Sequence, residues 1–98
     1  MENIVGFDQD KGKLDKNWIK HRVSHIECVE VFFNLPLMIE KDIKHSTTES
    51  GYYVLGLTHQ DRLIFLVFRK RENKIRVISA RDANRKDRKI YEKANTAI

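Results

Sequence analysis

Apolar residues recur along this chain with two different periods, and the change of period divides it into helices and strands. Residues 8–21, DQDKGKLDKNWIKH, place Leu14, Trp18 and His21 at helical spacing behind the N-cap candidates Asp8 and Asp10. Gly12 weakens the first turn. Residues 23–34, VSHIECVEVFFN, begin with Ser24 and Glu27 at the spacing of a capping box, with Val23 and Cys28 placed to staple it. Ile26, Val29 and Phe33, with Phe32 beside them, supply its expected buried face. Asn34 suits the position just past the helix, and Pro36 prevents continuation. A short joint at Arg22 separates the two helices.

Strand-like runs follow a different pattern. NIVGF (3–7) reads as an edge strand and LMIE (37–40) as a second strand, while KDIKHSTTESG (41–51) is polar without a period and reads as a loop. YYVLGLT (52–58), RLIFLVFRK (62–70) and KIRVISA (74–80) are strands joined by turns at 59–61 and 72–74. Leu63 to Phe68 is apolar at every position, which requires cover on both faces and therefore a central place in the sheet. A last helix runs from about Asn84 to Ala94. The order β, α, α, four strands, α indicates an α+β fold. Two N-terminal helices and a C-terminal helix are expected on a mainly antiparallel sheet of four to five strands, within a single domain spanning residues 1–98.

Composition narrows the function. The apolar share, 41%, is that of an ordinary globular chain. No apolar run approaches the about 20 residues of a membrane span. The acidic N-terminus lacks the layout of a signal peptide, and a lone Cys28 suits a reducing compartment, so a cytoplasmic protein without membrane contact is expected. The net charge of +5 is unevenly placed: residues 69–93 carry 11 Lys/Arg against 4 Asp/Glu, whereas the remainder is slightly acidic. Such asymmetry points to a polyanionic partner, against the alternative of a merely solvated basic helix.

Several chemistries lack support. His21, His25, His45 and His59 do not pair with cysteines or carboxylates at zinc spacing, and no glycine-rich phosphate loop is present, so neither metal nor cofactor is expected. Cys28, amid apolar neighbours in a helix, reads as a core thiol. The basic region remains. At 100° per residue, Arg85, Arg88, Tyr91 and Glu92 fall within about 120° of arc, with Arg81 leaving the strand just before them. Ala83, Ile90 and Ala94 lie opposite and are expected to dock on the sheet. Arg69 and Arg76 sit on strands expected to be neighbours. Arginine forks grip phosphates and an aromatic ring stacks on a splayed base, a combination suited to RNA. Cleavage also needs proton transfer, for which Tyr91, His21 and His45 are the candidates.

Taken in order, Phe7, Lys11, Asn17, Lys20-His21, Val23-Ser24, Val31-Phe32, Asp42, His45-Ser46, Glu49, Gly56 and then Arg76-Val77-Ile78-Ser79-Ala80-Arg81, Ala83, Arg85, Arg88 and Tyr91-Glu92 resemble the BrnT family of bacterial toxins. The last of these runs is the most specific. The resemblance implies a RelE-like compact fold and a metal-independent ribonuclease of a type II toxin–antitoxin module. It also implies a BrnA-like DNA-binding antitoxin, through whose complex alone the toxin meets DNA. The motif residues carried over are Lys20, His21, His45, Glu49, Arg76, Arg81, Arg85, Arg88 and Tyr91. The chain departs from the usual pattern in places. Arg22 stands where Gly is common, His25 where an aromatic is common, and Leu35-Pro36 where Asp-Pro is common. Ser50 and Gly51 replace an Arg after the loop Glu, and Asp87 replaces a Glu in the last helix. The loop difference bears most on function, because it removes a cation near His45 and Glu49.

The resulting expectation is an endoribonuclease toxin that inhibits translation. Arg76 and Arg81 bind the scissile phosphate, and Tyr91 or His21 transfers a proton. Lys20, Arg69, Arg85 and Arg88 hold the RNA, with His45 and Glu49 as possible additional members. The rival is a non-catalytic basic module that binds nucleic acid or an acidic partner.

Overall fold

A computed structural model describes residues 6–8, 11–42 and 50–96. His45 and Glu49, the N-cap candidate Asp10 and most of the expected loop 41–51 lie outside them. The described chain runs β1 (Gly6–Asp8), α1 (Lys11–His21), α2 (His25–Val31), β2 (Met38–Asp42), β3 (Ser50–Leu57), β4 (Leu63–Arg71), β5 (Lys74–Asp82) and α3 (Arg85–Thr96). The five strands form one sheet in the order β1-β5-β4-β3-β2, antiparallel throughout except where β1 pairs in parallel with β5. This is the expected α+β arrangement, with β4 central and β1 at an edge.

Alternation along the strands assigns each residue a face. On one face Val54, Ile64, Leu66, Phe68, Ile75, Val77 and Ala80 form a buried cluster with Val23, Cys28 and Val31. There α1 lies against β5, and α2 against β3 and β4. On the other face Leu55, Leu63 and Phe65 pack with Met38, Ala83 and Tyr91 of α3. A bulge between Val67 and Phe68 sets Ser79 opposite Val67 and Val77 opposite Phe68. It places Ile78 and Ser79 on the face that carries α3. Gly56 permits the approach of α2: a Cβ there would stand 2.8 Å from side-chain carbons of both Val31 and Leu37.

The caps follow the residues that signal them. The Ser24 side chain accepts from the Glu27 N–H at 3.1 Å, and Glu27 Oε1 accepts from the Ser24 N–H at 3.0 Å. Arg22 ends α1 in the left-handed region, φ 55°, with its N–H donating to the Trp18 carbonyl. A non-glycine residue there is strained by about 1 kcal/mol, which explains why glycine suits the site. The guanidinium over the Trp18 ring offsets part of that strain. Arg22→Gly is therefore expected to raise stability by up to about 1 kcal/mol, read as an upward shift of the thermal midpoint.

Two buried faces differ from expectation. Ile26 and Phe33 are 68% and 73% exposed, and α2 instead buries Cys28 and Val31. Helix α2 stops at Val31, so Phe33 never joins a helical stripe. In α1 Trp18 is half exposed while Asn17 is buried. Asn17 turns inward because its Oδ1 accepts from the Ala80 N–H, at 3.2 Å. Cys28 is a core residue as expected, and burial pushes its thiol up to about 12.

Candidate functional site

Register brings the basic residues of β4 and β5 together. Arg69 faces Arg76 directly across the two strands, and Arg71 faces Lys74. Each lies on the face that carries α3, since Phe68 and Val77 between them point to the opposite core. The row containing Arg69 and Arg76 extends across the whole sheet, through Gly51 of β3 to Asp42 of β2 and through Arg76 to Asp8 of β1. Asp42, Gly51, Val67, Arg69 and Ile78 line a depression of about 370 Å³. Gly51 contributes no side chain, so the floor between the acid and the arginine pair stays low. The arrangement is an arginine pair on the sheet face that carries α3, flanked in its row by Asp42 and Asp8, and both arginines have interaction partners there.

The other arginines are placed differently. Arg81 leaves β5 on the same face but five residues beyond Arg76, roughly 16 Å along the strand. Its guanidinium lies over the Phe65 ring at 4.3 Å and donates to Asp87 Oδ2 at 2.7 Å and to the Asp82 carbonyl at 3.0 Å. Asp87 in turn closes a capping box with Asn84, accepting from the Asn84 N–H while its own N–H donates to Asn84 Oδ1. Arg81 thus holds the start of α3, pointing away from Arg76, and the structure does not bring these two arginines to one phosphate.

Helix α3 is rotated from the orientation read on the wheel. Its buried positions are Asp87 and Tyr91, while Ile90 is 43% exposed. The Asp87–Arg81 bond and the Tyr91 ring, both facing the sheet, select this rotation. Tyr91 therefore does not share a face with Arg85 and Arg88, which are exposed on the outside of the helix. Tyr91 is only 8% exposed, packs with Leu55 and Leu63, and donates its hydroxyl to the Pro36 carbonyl at 2.6 Å. Burial raises its pKa, which favours the neutral donor. The geometry is that of an anchor. Tyr91→Phe is expected to lower stability by about 1 kcal/mol in a denaturant titration. In an assay of the RNA cleavage that the sequence resemblance leads one to expect, activity per folded molecule should stay within a few-fold of the original; a loss of a hundredfold or more would restore Tyr91 as a proton carrier.

His21 ends α1, and Lys20 is exposed in the preceding turn. Both sit where α1 meets the far end of β5, away from Arg69 and Arg76. Here lies the feature that linear reading missed, the Arg62 cluster. Arg62 donates to both carboxylate oxygens of Asp82, at 2.6 and 3.0 Å, and to Glu27 at 2.9 Å. It also donates to the His21 and Arg22 carbonyls, at 3.1 and 2.8 Å. Its pKa is raised further by these acceptors, the Asp82 bonds first. Hydrogen bonds from Arg62 hold Asp82 below the usual carboxylate range, with His21 adding to the effect. Burial alone would raise Glu27, but bonds from the Ser24 backbone and Arg62 outweigh it and hold it low. The only sequence signal was an arginine at the start of a central strand, which carries no partner information.

Among the described residues, no group of three or more His, Cys, Asp or Glu is placed to hold a metal ion. No described helix is long and apolar enough to cross a membrane.

A comparison with curated proteins found no match. A family model does match residues 9–87 of the 98-residue chain, and it describes the ribonuclease toxin, BrnT, of type II toxin–antitoxin systems. That span covers both N-terminal helices, the whole β2–β5 sheet with its arginine row, and the capped start of α3; the chain belongs to the BrnT family of ribonuclease toxins.

Proposed function

We propose that this chain is a metal-independent endoribonuclease of the cytoplasm that cuts RNA on the open sheet surface beside α3. The observation that carries the reading is the Arg69–Arg76 pair, set directly opposite each other on β4 and β5. Two forks side by side match a phosphodiester better than one, because each can donate to a different oxygen. In the cut, the ribose 2′-oxygen loses its proton and bonds to phosphorus. The bond from phosphorus to the 5′-oxygen breaks, and that oxygen takes up a proton. The products are a 2′,3′-cyclic phosphate and a 5′-hydroxyl. The arginine pair neutralises the charge that builds on the phosphorane oxygens, which needs no bound cation.

The remaining motif residues take supporting roles in this reading. Arg85 and Arg88, exposed on α3, hold flanking phosphates, while Lys20, on the helix that covers the opposite face of the sheet, lies outside this path. Arg81 positions α3 through Asp87. Proton transfer falls in this reading to His45 or Glu49, titratable residues of the motif shared with the family. Use of Tyr91 would first require its bond to Pro36 to break. Type II membership implies a cognate antitoxin. We take this to be a BrnA-like DNA-binding protein that covers the basic surface and carries the complex to DNA.

The test is expression without an antitoxin. Growth arrest with fragmentation of bulk RNA is expected, and Arg76→Ala should abolish both. Intact RNA and normal growth, with the folded chain present, would overturn the enzyme reading and leave the rival binding module. That rival gives RNA binding that weakens with salt but no cleavage.

A further inference from the structure

Next to the arginine row lies a second depression, of about 400 Å³, lined by Met38, Glu40 and Tyr53 from the sheet and by Ile90, Lys93 and Ala94 from α3. Its volume is in the range of small-molecule sites. Its composition also fits one: apolar walls, one aromatic ring, one carboxylate and one ammonium. Ile90 is a large apolar residue left 43% exposed at its rim. The Tyr53 ring is fixed by stacking on Phe65, with centroids 5.9 Å apart and planes 25° from parallel. Among the described residues no cation is paired with Glu40, so its oxygens keep their capacity to accept.

We propose that this cavity seats one nucleobase of the RNA, guanine by preference, against Tyr53 with Glu40 accepting from its Watson–Crick edge. The inference rests on the ribonuclease reading above and adds base selection to it. Guanine alone presents two adjacent donors on that edge, N1–H and N2–H, which match a carboxylate's two oxygens. Adenine and cytosine offer one donor beside an acceptor, and uracil one donor between two acceptors, each of which sets a lone pair against the carboxylate. Position supports the same occupant. Tyr53 pairs with Val67, so Arg69 is its diagonal neighbour across the strands, about 7–8 Å away. That is the span from a base to its own backbone phosphate. A base in the cavity therefore delivers its phosphate to Arg69 and Arg76.

The experiment uses the full chain and a set of short labelled RNA oligonucleotides that differ at one position, guanosine, inosine, adenosine, cytidine or uridine. Binding is followed by fluorescence anisotropy and cleavage by product mapping. Guanosine is expected to exceed adenosine by about 10-fold or more in both, with inosine, which lacks the N2 amine, in between. Glu40→Gln should remove most of that ratio. Tyr53→Ala should weaken all bases alike, whereas Tyr53→Phe should retain them. Thermal melting of each variant establishes that it is folded. Cleavage with the same base profile before and after Glu40→Gln overturns the pocket and leaves the ribonuclease reading intact. Guanosine-selective binding that depends on Glu40, without cleavage, supports the pocket and overturns the ribonuclease reading. Equal binding of all five oligonucleotides overturns the pocket.

Discussion

Arg76→Ala is expected to lower RNA cleavage by about 10²–10³-fold while the protein stays folded, with RNA affinity falling far less. The reasoning is electrostatic. The phosphorane carries more negative charge on its oxygens than the ground-state diester, so a fixed cation contributes more in the transition state than in binding. Arg76 is half-buried on a paired strand directly opposite Arg69, which limits how far either fork can move away from the other. Arg76→Lys should recover only part of the rate, since an ammonium cannot donate in the parallel fork geometry. The control is the outer face of α3. Arg85→Ala and Arg88→Ala should weaken binding a few-fold and reduce the salt dependence by about one phosphate contact each, with the cleavage step little changed. Single-turnover rates at saturating RNA separate the two effects. An Arg76→Ala protein that cuts at the original rate would remove the arginine pair from the mechanism.

The second large effect belongs to stability. Arg62→Met should destabilise the fold by about 2–4 kcal/mol, a fall of roughly 10–20 °C in thermal midpoint for a chain of this size. The loss is large because one guanidinium serves three elements. It satisfies the orphan carbonyls of His21 and Arg22 at the end of α1, the capping-box glutamate of α2, and Asp82 at the end of β5. Methionine keeps the stem's packing but removes every one of these bonds, leaving Glu27 with its Ser24 partners alone. Glu27 dominates the ionic part, at 25% side-chain exposure, because Asp82 at 63% is well screened by water.

The same cluster sets an acid dependence. Glu27 and Asp82 are both held below their ordinary values in the folded state. The unfolded chain therefore binds protons at higher pH than the folded one. Stability from these groups is fully present above their unfolded values, around pH 4–4.5, and is lost as pH falls through the lower folded values. Chemical denaturation between pH 6 and pH 2.5 should show this decline in the original protein and a flatter profile in Arg62→Met. Parallel profiles would exclude the cluster as its source.

Much of the fold was legible because its signals are local. A capping box is three residues long, and Ser24 and Glu27 form it as their spacing indicates. The Glu72-Asn73 turn adopts positive φ at both residues, closing the β4–β5 hairpin where the polarity of the sequence breaks. An unbroken apolar strand can only be central, and β4 is. The pairing of Arg69 with Arg76 was also within reach, because a short hairpin determines its own register.

Helix orientation was not legible in the same way. A short amphipathic helix offers two neighbouring stripes of similar hydrophobicity, and the sheet chooses between them. In α2 the choice went to Cys28 and Val31 over Ile26 and Phe33; in α3 it went to Asp87 and Tyr91 over Ile90. Polar bonds to partners outside the helix made part of that choice, nearby in the chain for Asp87 with Arg81 and far along it for Tyr91 with Pro36. By itself, the sequence determined the elements, their order, the basic end of the chain and its family. Tertiary structure decided which arginines face one another on the open sheet, which are spent on holding helices, and that Glu40 and Tyr53, in no motif at all, border the same surface. The physical reason is range. Caps, turns and strand alternation are settled within a few residues, whereas charge pairing and groove formation depend on strands brought together from far along the chain.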